Sequence, residues 1–388
     1  MTFTPTRAAG LAALADFVDR AGHDYAETRN FDRGPGDRAN VSMLSPYLRY
    51  RLVTESEVVA AVRARHPGET AAKFIQEVFW RTYWKGWLEL RPSVWTDYLE
   101  DLASLEATSG GWRRDYDRAL AGATGIDCFD AWIAELAEFG YLHNHARMWF
   151  ASIWIFTLRL PWQLGAALFW HYLYDGDAAS NTLSWRWVAG LQTAGKTYLA
   201  QADNIARYTG GCFTAAGLAS RAAAITATPT PAPRPLTMPE PLPTGRIGLL
   251  LAEDDLAPET LLPGRTQVDA IAALRCGHGR SPAVEHFIRE ALGDAGRRAH
   301  TSLRADATTL PDATAASVHS WAQAHRLDQI VIAYAPVGPS AAAVATLRDD
   351  LRALGVRLTP VRRAWDEHNW PHAQRGFFAF REKCIPLA

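Results

Sequence analysis

Along residues 54–66, 70–90, 126–139, 141–158 and 161–174, apolar side chains recur at three-and-four spacing, with glycine and proline mostly at the breaks. That is the pattern of amphipathic helices, so the N-terminal part is predicted to be all helical. After residue 245 the texture changes. IGLLLA (247–252) and QIVIAYA (329–335) are short continuous apolar runs, as in strands buried on both faces of a parallel sheet. They alternate with helical stretches such as AVEHFIREAL and AAVATLRDDLRAL, which predicts an α/β layer. Between the two textures, TATPTPAPRPLTMPEPLPT (226–244) holds seven prolines and predicts a semi-extended linker. The expected division is a helical domain over 1–224, a proline-rich linker over 225–244 and a Rossmann-like α/β domain over 245–388, each domain with its own core.

Composition narrows the function classes. Hydrophobic residues at 48% and charged residues at 21% describe an ordinary globular chain. No apolar run reaches the roughly 20 residues that span a bilayer, and MTFTPTRAAG lacks the apolar core of a signal peptide; no membrane partner is expected, and the cytoplasm is the expected compartment. Cys128, Cys212, Cys276 and Cys384 form no CxxC pair, so free thiols are expected rather than a disulfide framework or a thiolate metal site. A formal charge of −1 argues against non-specific coating of nucleic acid, which needs many phosphates neutralised at once. A local basic groove stays open. The α/β part carries neither GxGxxG nor GxxxxGK[ST] after a strand, so no nucleotide fingerprint is present there. Of 15 tryptophans, 12 precede residue 190, for which core packing is one reading and stacking on planar ligands or electron relay the other.

Four stretches of the helical part group polar and aromatic residues. NVSMLSPYL (40–48) puts two serines ahead of a helix, where hydroxyls and free N–H groups cap the helix or bind phosphate. FIQEVFWRTYWKGW (74–87) sets Glu77, Trp80, Arg81 and Trp84 at helical spacings, as a solvated ion pair beside a tryptophan core or as one functional face. GYLHNHARMW (140–149) packs His143, Asn144, His145 and Arg147 into an apolar segment. Each of these costs about 1–3 kcal/mol if buried unpaired, so a dense hydrogen-bond network or a bound polar ligand is implied. DGDAASNTLSWRW (175–187) combines Asp175 and Asp177 with Asn181 and two alternate tryptophans. No further ligand stands at a metal-binding spacing, and pairing of an aspartate with Arg147 is the favoured reading.

Together these stretches resemble the FAD-binding helical domain of the photolyase/cryptochrome family. Tyr25 followed by Arg29, VSMLS (41–45), EVFWR (77–81), GYLHNHARM (140–148), DGDAASN (175–181) and WRW (185–187) follow the family's pattern in order, over roughly residues 20–210. The resemblance implies that Tyr25, Ser42, Leu44 and Ser45 belong to the cofactor site, the last three at the FAD phosphates. It implies that Arg81, Asn144, Arg147, Asp175 and Asp177 line the folded cofactor and that Asn181 faces flavin N5. An Arg147–Asp175 pair would then set the charge at the flavin.

Within the family, the positions that read a cyclobutane pyrimidine dimer are here Glu77, Trp80, Asn144, Met148 and Trp187. The resemblance therefore implies a deoxyribodipyrimidine photolyase, a carbon–carbon lyase that acts on UV-damaged DNA through light-excited FADH⁻ and needs no metal. Trp80 and Trp187 would pack on a flipped dimer, Glu77 would hydrogen-bond it, and Arg29 and His145 would join the DNA-facing set. Trp185 and Trp162 match the inner and middle members of the family's photoreduction relay. The outer position falls at Ser109, with Trp112 nearby. The alternative is a cryptochrome-like blue-light receptor that signals to a protein partner.

The chain also departs from the family's pattern. Val41 replaces a serine or threonine, Arg51 a glycine, and His145 an arginine that contacts DNA. The α/β part follows the flavin domain instead of preceding it, and its end distantly resembles the end of an antenna domain. No antenna chromophore is implied by any motif.

Overall fold

A computed structural model describes residues 2–385 except 109, 224, 227–228, 265 and 275–278. Cys276 and the outer relay position Ser109 lie outside the described residues. The first part is helical throughout: α1 (Arg7–Phe17), α2 (His23–Thr28), α3 (Ser45–Arg49), α4 (Glu55–Arg65), α5 (Ala72–Glu89), α6 (Ser93–Ala107), α7 (Arg113–Leu120), α8 (Asp127–Phe139), α9 (Asn144–Ser152), α10 (Trp162–Tyr172), α11 (Ala178–Val188) and α12 (Ala202–Tyr208). All five periodic segments become helices. The run 141–158 is interrupted because α9 passes into a π-turn at Ile153–Thr157.

Local chemistry sets the ends. Thr54 and Glu57 cap α4 reciprocally, satisfying two otherwise orphaned N–H groups. Asp177 accepts from the Ser180 N–H at 2.8 Å to start α11. Gly140 ends α8 in the left-handed region, φ 60°, which glycine adopts without steric cost. Its carbonyl then accepts from the Tyr174 N–H at 2.9 Å. That bond lays the 140–148 stretch beside the 175–187 stretch.

The second part is a parallel sheet of β1 (Ile247–Leu251), β2 (Ala270–Ala273), β3 (Asp306–Thr309), β4 (Gln329–Ala333) and β5 (Arg357–Val361), in the order β3-β2-β1-β4-β5. Helices α13 (Pro282–Leu303), α14 (Ala315–Ala324) and α15 (Pro339–Ala353) connect the strands. The Rossmann-like α/β expectation holds. β1 is buried along its whole length, whereas edge strand β3 is exposed at every residue.

One expectation needs qualification. Each part keeps a buried cluster of its own, around Trp149 and Trp185 in the helical part and around Leu250 and Ile330 in the sheet, but a further cluster joins Leu14, Phe17, Tyr50 and Phe79 of the helical part to Leu249, Ile271, Phe287 and Val331 of the sheet and α13. The cause is α13, whose Phe287 lies 5.5 Å from Tyr50 and 5.3 Å from Tyr174 between ring centroids. Helices α16 (Ala364–Asn369) and α17 (Phe377–Cys384) return to α5, where Trp365 Nε1 donates to Thr82 Oγ1 at 3.0 Å and Tyr83 O–H donates to the Arg375 carbonyl at 2.8 Å. The proline-rich stretch is strapped down at Arg234 N to Leu90 O, 2.9 Å, and at Arg91 Nε to Pro231 O, 3.0 Å.

Candidate functional site

The site forms around the loop Asp175–Gly176–Asp177, between α10 and α11. Arg147, one turn into α9, grips Asp175 through two N–H···O bonds of 3.0 Å and donates from Nε to the Leu142 carbonyl at 2.8 Å. Burial alone would raise the Asp175 carboxyl, but Arg147 and the Ser45 hydroxyl outweigh it and hold the group below the usual carboxylate range. The expected Arg147–Asp175 pair is present, and Ser45 joins it.

On the other side of the loop, Asp177 faces Lys85 Nζ at 3.6 Å and Arg81 Nη1 at 3.9 Å, both from α5. Burial again opposes ionisation. The charges of Lys85, Arg81 and Arg49 prevail and keep Asp177 ionised far below its ordinary range. Arg81 Nη1, Lys85 Nζ, Ser180 Oγ and Trp185 Nε1 are nevertheless buried without a hydrogen-bond partner. Orphaned donors on α5 facing Asp177 and on α11 are costly, at about 1–3 kcal/mol each, unless a polar ligand accepts from them.

The loop is clamped from behind. Arg49 Nε and Arg280 Nη2 donate to the Gly176 carbonyl at 2.7 and 3.0 Å. Arg49 also bonds Asp254 at 3.0 Å and Glu253 at 3.2 Å. These acids follow β1, at the switch point between β1 and β4 where open α/β sheets ordinarily bind ligands. Here that crevice faces the helices: Tyr334 O–H donates to Glu89 at 2.8 Å and the Val337 N–H to Glu89 at 2.6 Å. Arg51 sits fully buried in the same seam, with Asp366 at 2.7 Å, Glu55 at 3.2 Å and Asp255 at 3.4 Å. Sequence reasoning missed Lys85, Arg49 and Arg280. Lys85 was within reach, since it lies one helical turn beyond Arg81.

The other expected residues separate into groups. Tyr25, Arg29 and Glu77 come together: Tyr25 is buried against Phe17 and Phe74, and Arg29 forms an ion pair with Glu77. One turn along α5, Trp80 stacks on Phe377 at 3.7 Å between centroids and 9° between planes, so α17 backs one of its faces. Ser42 accepts from the Leu44 N–H at 3.4 Å, and Leu44 is fully buried. Asn181 Nδ2 donates to the Ala166 carbonyl at 2.7 Å. Asn144 is exposed at the start of α9, Met148 is half-buried, and Trp187 is exposed and stacked on Tyr198.

His145 does not extend outward as a DNA-facing residue would. Its Nδ1 lies 2.8 Å from the Asn30 carbonyl and its ring stacks on Trp149 at 4.6 Å; burial lowers its pKa. The ring is held by packing because Trp149 and Tyr208 enclose it. His143 is buried and caps α9 through Nδ1; burial lowers its pKa to about 4.

Trp185 and Trp162 are both buried, but their ring contacts differ from the expected pairing. Trp185 meets Trp154 at 6.2 Å and 81°, while Trp162 packs on Tyr98 at 5.5 Å. Trp185 comes this close to α10 because Gly165 presents no Cβ to block its ring.

Among the described residues, no group of three or more His, Cys, Asp or Glu is arranged to hold a metal ion. No described helix is long and apolar enough to cross a membrane.

Residues 74–208 match the family model described as the FAD binding domain of DNA photolyase. The chain is 37% identical over 185 residues to the deoxyribodipyrimidine photo-lyase of Streptomyces griseus, covering 46% of this chain and 36% of that protein. It is 34% identical over 198 residues to the one from Agrobacterium fabrum, covering 48% and 39%. A solved bacterial class III photolyase from Agrobacterium tumefaciens aligns with TM-score 0.46 at 28% identity, covering 54% of this chain and 43% of that one. The chain thus spans less than half the length of the curated relatives it matches. The segment that carries Arg81, Arg147, Asp175 and Asp177 is thus similar to the FAD binding domain of DNA photolyases.

Proposed function

We propose that the protein binds FAD without a covalent link and splits cyclobutane pyrimidine dimers in UV-damaged DNA under light. The observation that carries the first half is the set of buried, unpartnered donors on α5 and α11, Arg81 and Lys85 facing Asp177 together with Ser180 and Trp185, which fits a polar ligand rich in acceptors. Arg147 and Arg81 would lie along the flavin, Ser42 and Ser45 at the phosphates, and Asn181 near the reactive edge of the ring. When bound and reduced, the flavin would supply on excitation the electron that opens the dimer.

The chain's own residues do the rest. Arg147, locked by Asp175, keeps a positive charge where a reduced flavin carries a negative one. Glu77 hydrogen-bonds the dimer, and Trp80, made rigid by Phe377 behind it, offers its other face for stacking on the extruded dimer. Asn144, Met148 and Trp187 complete the substrate side. The overlap with curated photo-lyases across the flavin segment supports this reading.

A cryptochrome-like receptor is the second reading. The Arg29–Glu77 ion pair and the Phe377 stack favour it, since each engages a side chain that repair would use.

Glu77→Gln separates substrate from cofactor. The Arg29–Glu77 pair is about one-third exposed, so its loss should cost under about 1 kcal/mol of stability. Flavin absorbance should stay near wild type while the repair yield drops. A wild-type yield would remove Glu77 from the dimer. Denaturation should release FAD from purified protein, and a colourless protein that takes up no FAD on reconstitution would contradict the proposal.

A further inference from the structure

We propose that the α/β part serves the flavin site through Arg280, a positioning residue that holds the Asp175–Gly176–Asp177 loop in register, an assignment that rests on the flavin reading above. Arg280 precedes Ser281, the cap of α13, and its side chain is fully buried. Its guanidinium lies 3.6 Å from the centroid of the Trp170 ring, donates from Nη2 to the Gly176 carbonyl at 3.0 Å and faces Glu253 at 3.8 Å. The approach needs a glycine. A Cβ at position 176 would stand 2.8 Å from Arg280 Nη1, so the residue between the two aspartates is the one that lets a buried cation reach the backbone. Trp170 lies on α10, which leads into the loop, and the start of α13 is tied to the same helix end: the Ser281 N–H donates to the His171 carbonyl at 2.8 Å, and His171 Nδ1 lies 3.1 Å from the Gly279 carbonyl.

The far side of the loop is held by the same edge of the sheet. A Cβ at Gly338, between β4 and α15, would meet the Ala178 Cβ at 2.9 Å, and Ala178 is the first residue of α11. The Ser340 hydroxyl hydrogen-bonds Asp254, which Arg49 holds in turn at 3.0 Å. The segments after β1 and β4 and the start of α13 thus converge on residues 176–178, at the edge where doubly wound sheets ordinarily take a ligand. What they grip decides the consequence. Asp175 points to Arg147 and Asp177 to Arg81 and Lys85, with Gly176 alone between them, so a shift of the Gly176 carbonyl moves both carboxylates off their partners.

The test separates positioning from stability. FAD dissociation constants of the full chain are measured by titration of flavin fluorescence, beside urea unfolding, for wild type, Arg280→Met, Arg280→Lys and Arg363→Met. Arg363 is the comparison because it is a cation bound to a buried acid, Asp255 at 2.5 and 2.7 Å, whose side-chain hydrogen bonds among the described residues stay within the α/β part. Arg280→Met should weaken FAD binding about tenfold, the equivalent of one hydrogen bond to a charged group. Arg280→Lys should recover most of it, to about threefold weaker than wild type, because an ammonium keeps the charge and one donor but loses the flat stack on Trp170. Arg363→Met should lower the urea midpoint and leave FAD affinity unchanged. A wild-type dissociation constant in Arg280→Met would overturn the proposal, and a wild-type value in Arg280→Lys would do the same where Arg280→Met fails to fold. So would an Arg363→Met variant that loses as much FAD affinity, since lost stability would then account for the effect. Wild-type protein that takes up no FAD would overturn the flavin reading along with it.

Discussion

Arg51→Gly is expected to destabilise the protein by about 3–5 kcal/mol, the cost of stripping a buried carboxylate cluster of its cation. The family's pattern has glycine here, and the backbone explains why: Arg51 sits at φ 50°, where a side chain costs about 1–2 kcal/mol. Glycine would relieve that strain. It would also leave Glu55 and Asp366 buried without the arginine they share, while Asp255 keeps its closer pairing with Arg363. Losing the cation outweighs relieving the backbone. Arg51→Lys should fall between the two, since one ammonium cannot fork to three carboxylates. Urea unfolding followed by circular dichroism and by tryptophan fluorescence measures the difference; a loss under about 1 kcal/mol would show that the seam is held by apolar packing alone.

Arg147→Met should release the flavin and cost a further few kcal/mol, on the order of 3, by leaving Asp175 buried without its partner. Adding Asp175→Asn should recover most of the stability and none of the flavin, because the neutral pair packs but carries no charge for the cofactor. The pH dependence follows from the same pair. Asp175 has a folded pKa below its unfolded value of about 3.9, so its contribution is fully present above that unfolded value. It is lost as pH falls through the lower folded one. Flavin retention should therefore be flat from neutral pH to about 4 as far as this pair is concerned, then fall, and Asp175→Asn should abolish that acid step.

The helices were legible where burial follows one face. α5 and α8 carry clear three-and-four spacing, and their ends fell within two residues of the pattern's limits. The short strands β2 (AIAA) and β3 (DATT) were not legible. Four small or exposed residues hold no hydrophobic signature, and only pairing with neighbouring strands makes them strands. The Arg147–Asp175 pair was readable because two polar residues in apolar surroundings must find partners. The shared core was not: it depends on contacts such as Arg51 with Asp366, 315 residues apart, which no local pattern encodes.

The central claim is that the flavin site serves light-driven repair. Chemically reduced, FAD-loaded protein is incubated with an oligonucleotide carrying a single thymine dimer, in light and in darkness, and restored thymines are quantified. The account predicts restoration in light with none in darkness, and a yield that drops in Glu77→Gln. Equal, absent restoration in both arms from protein that retains reduced FAD would contradict it and leave the receptor reading in its place.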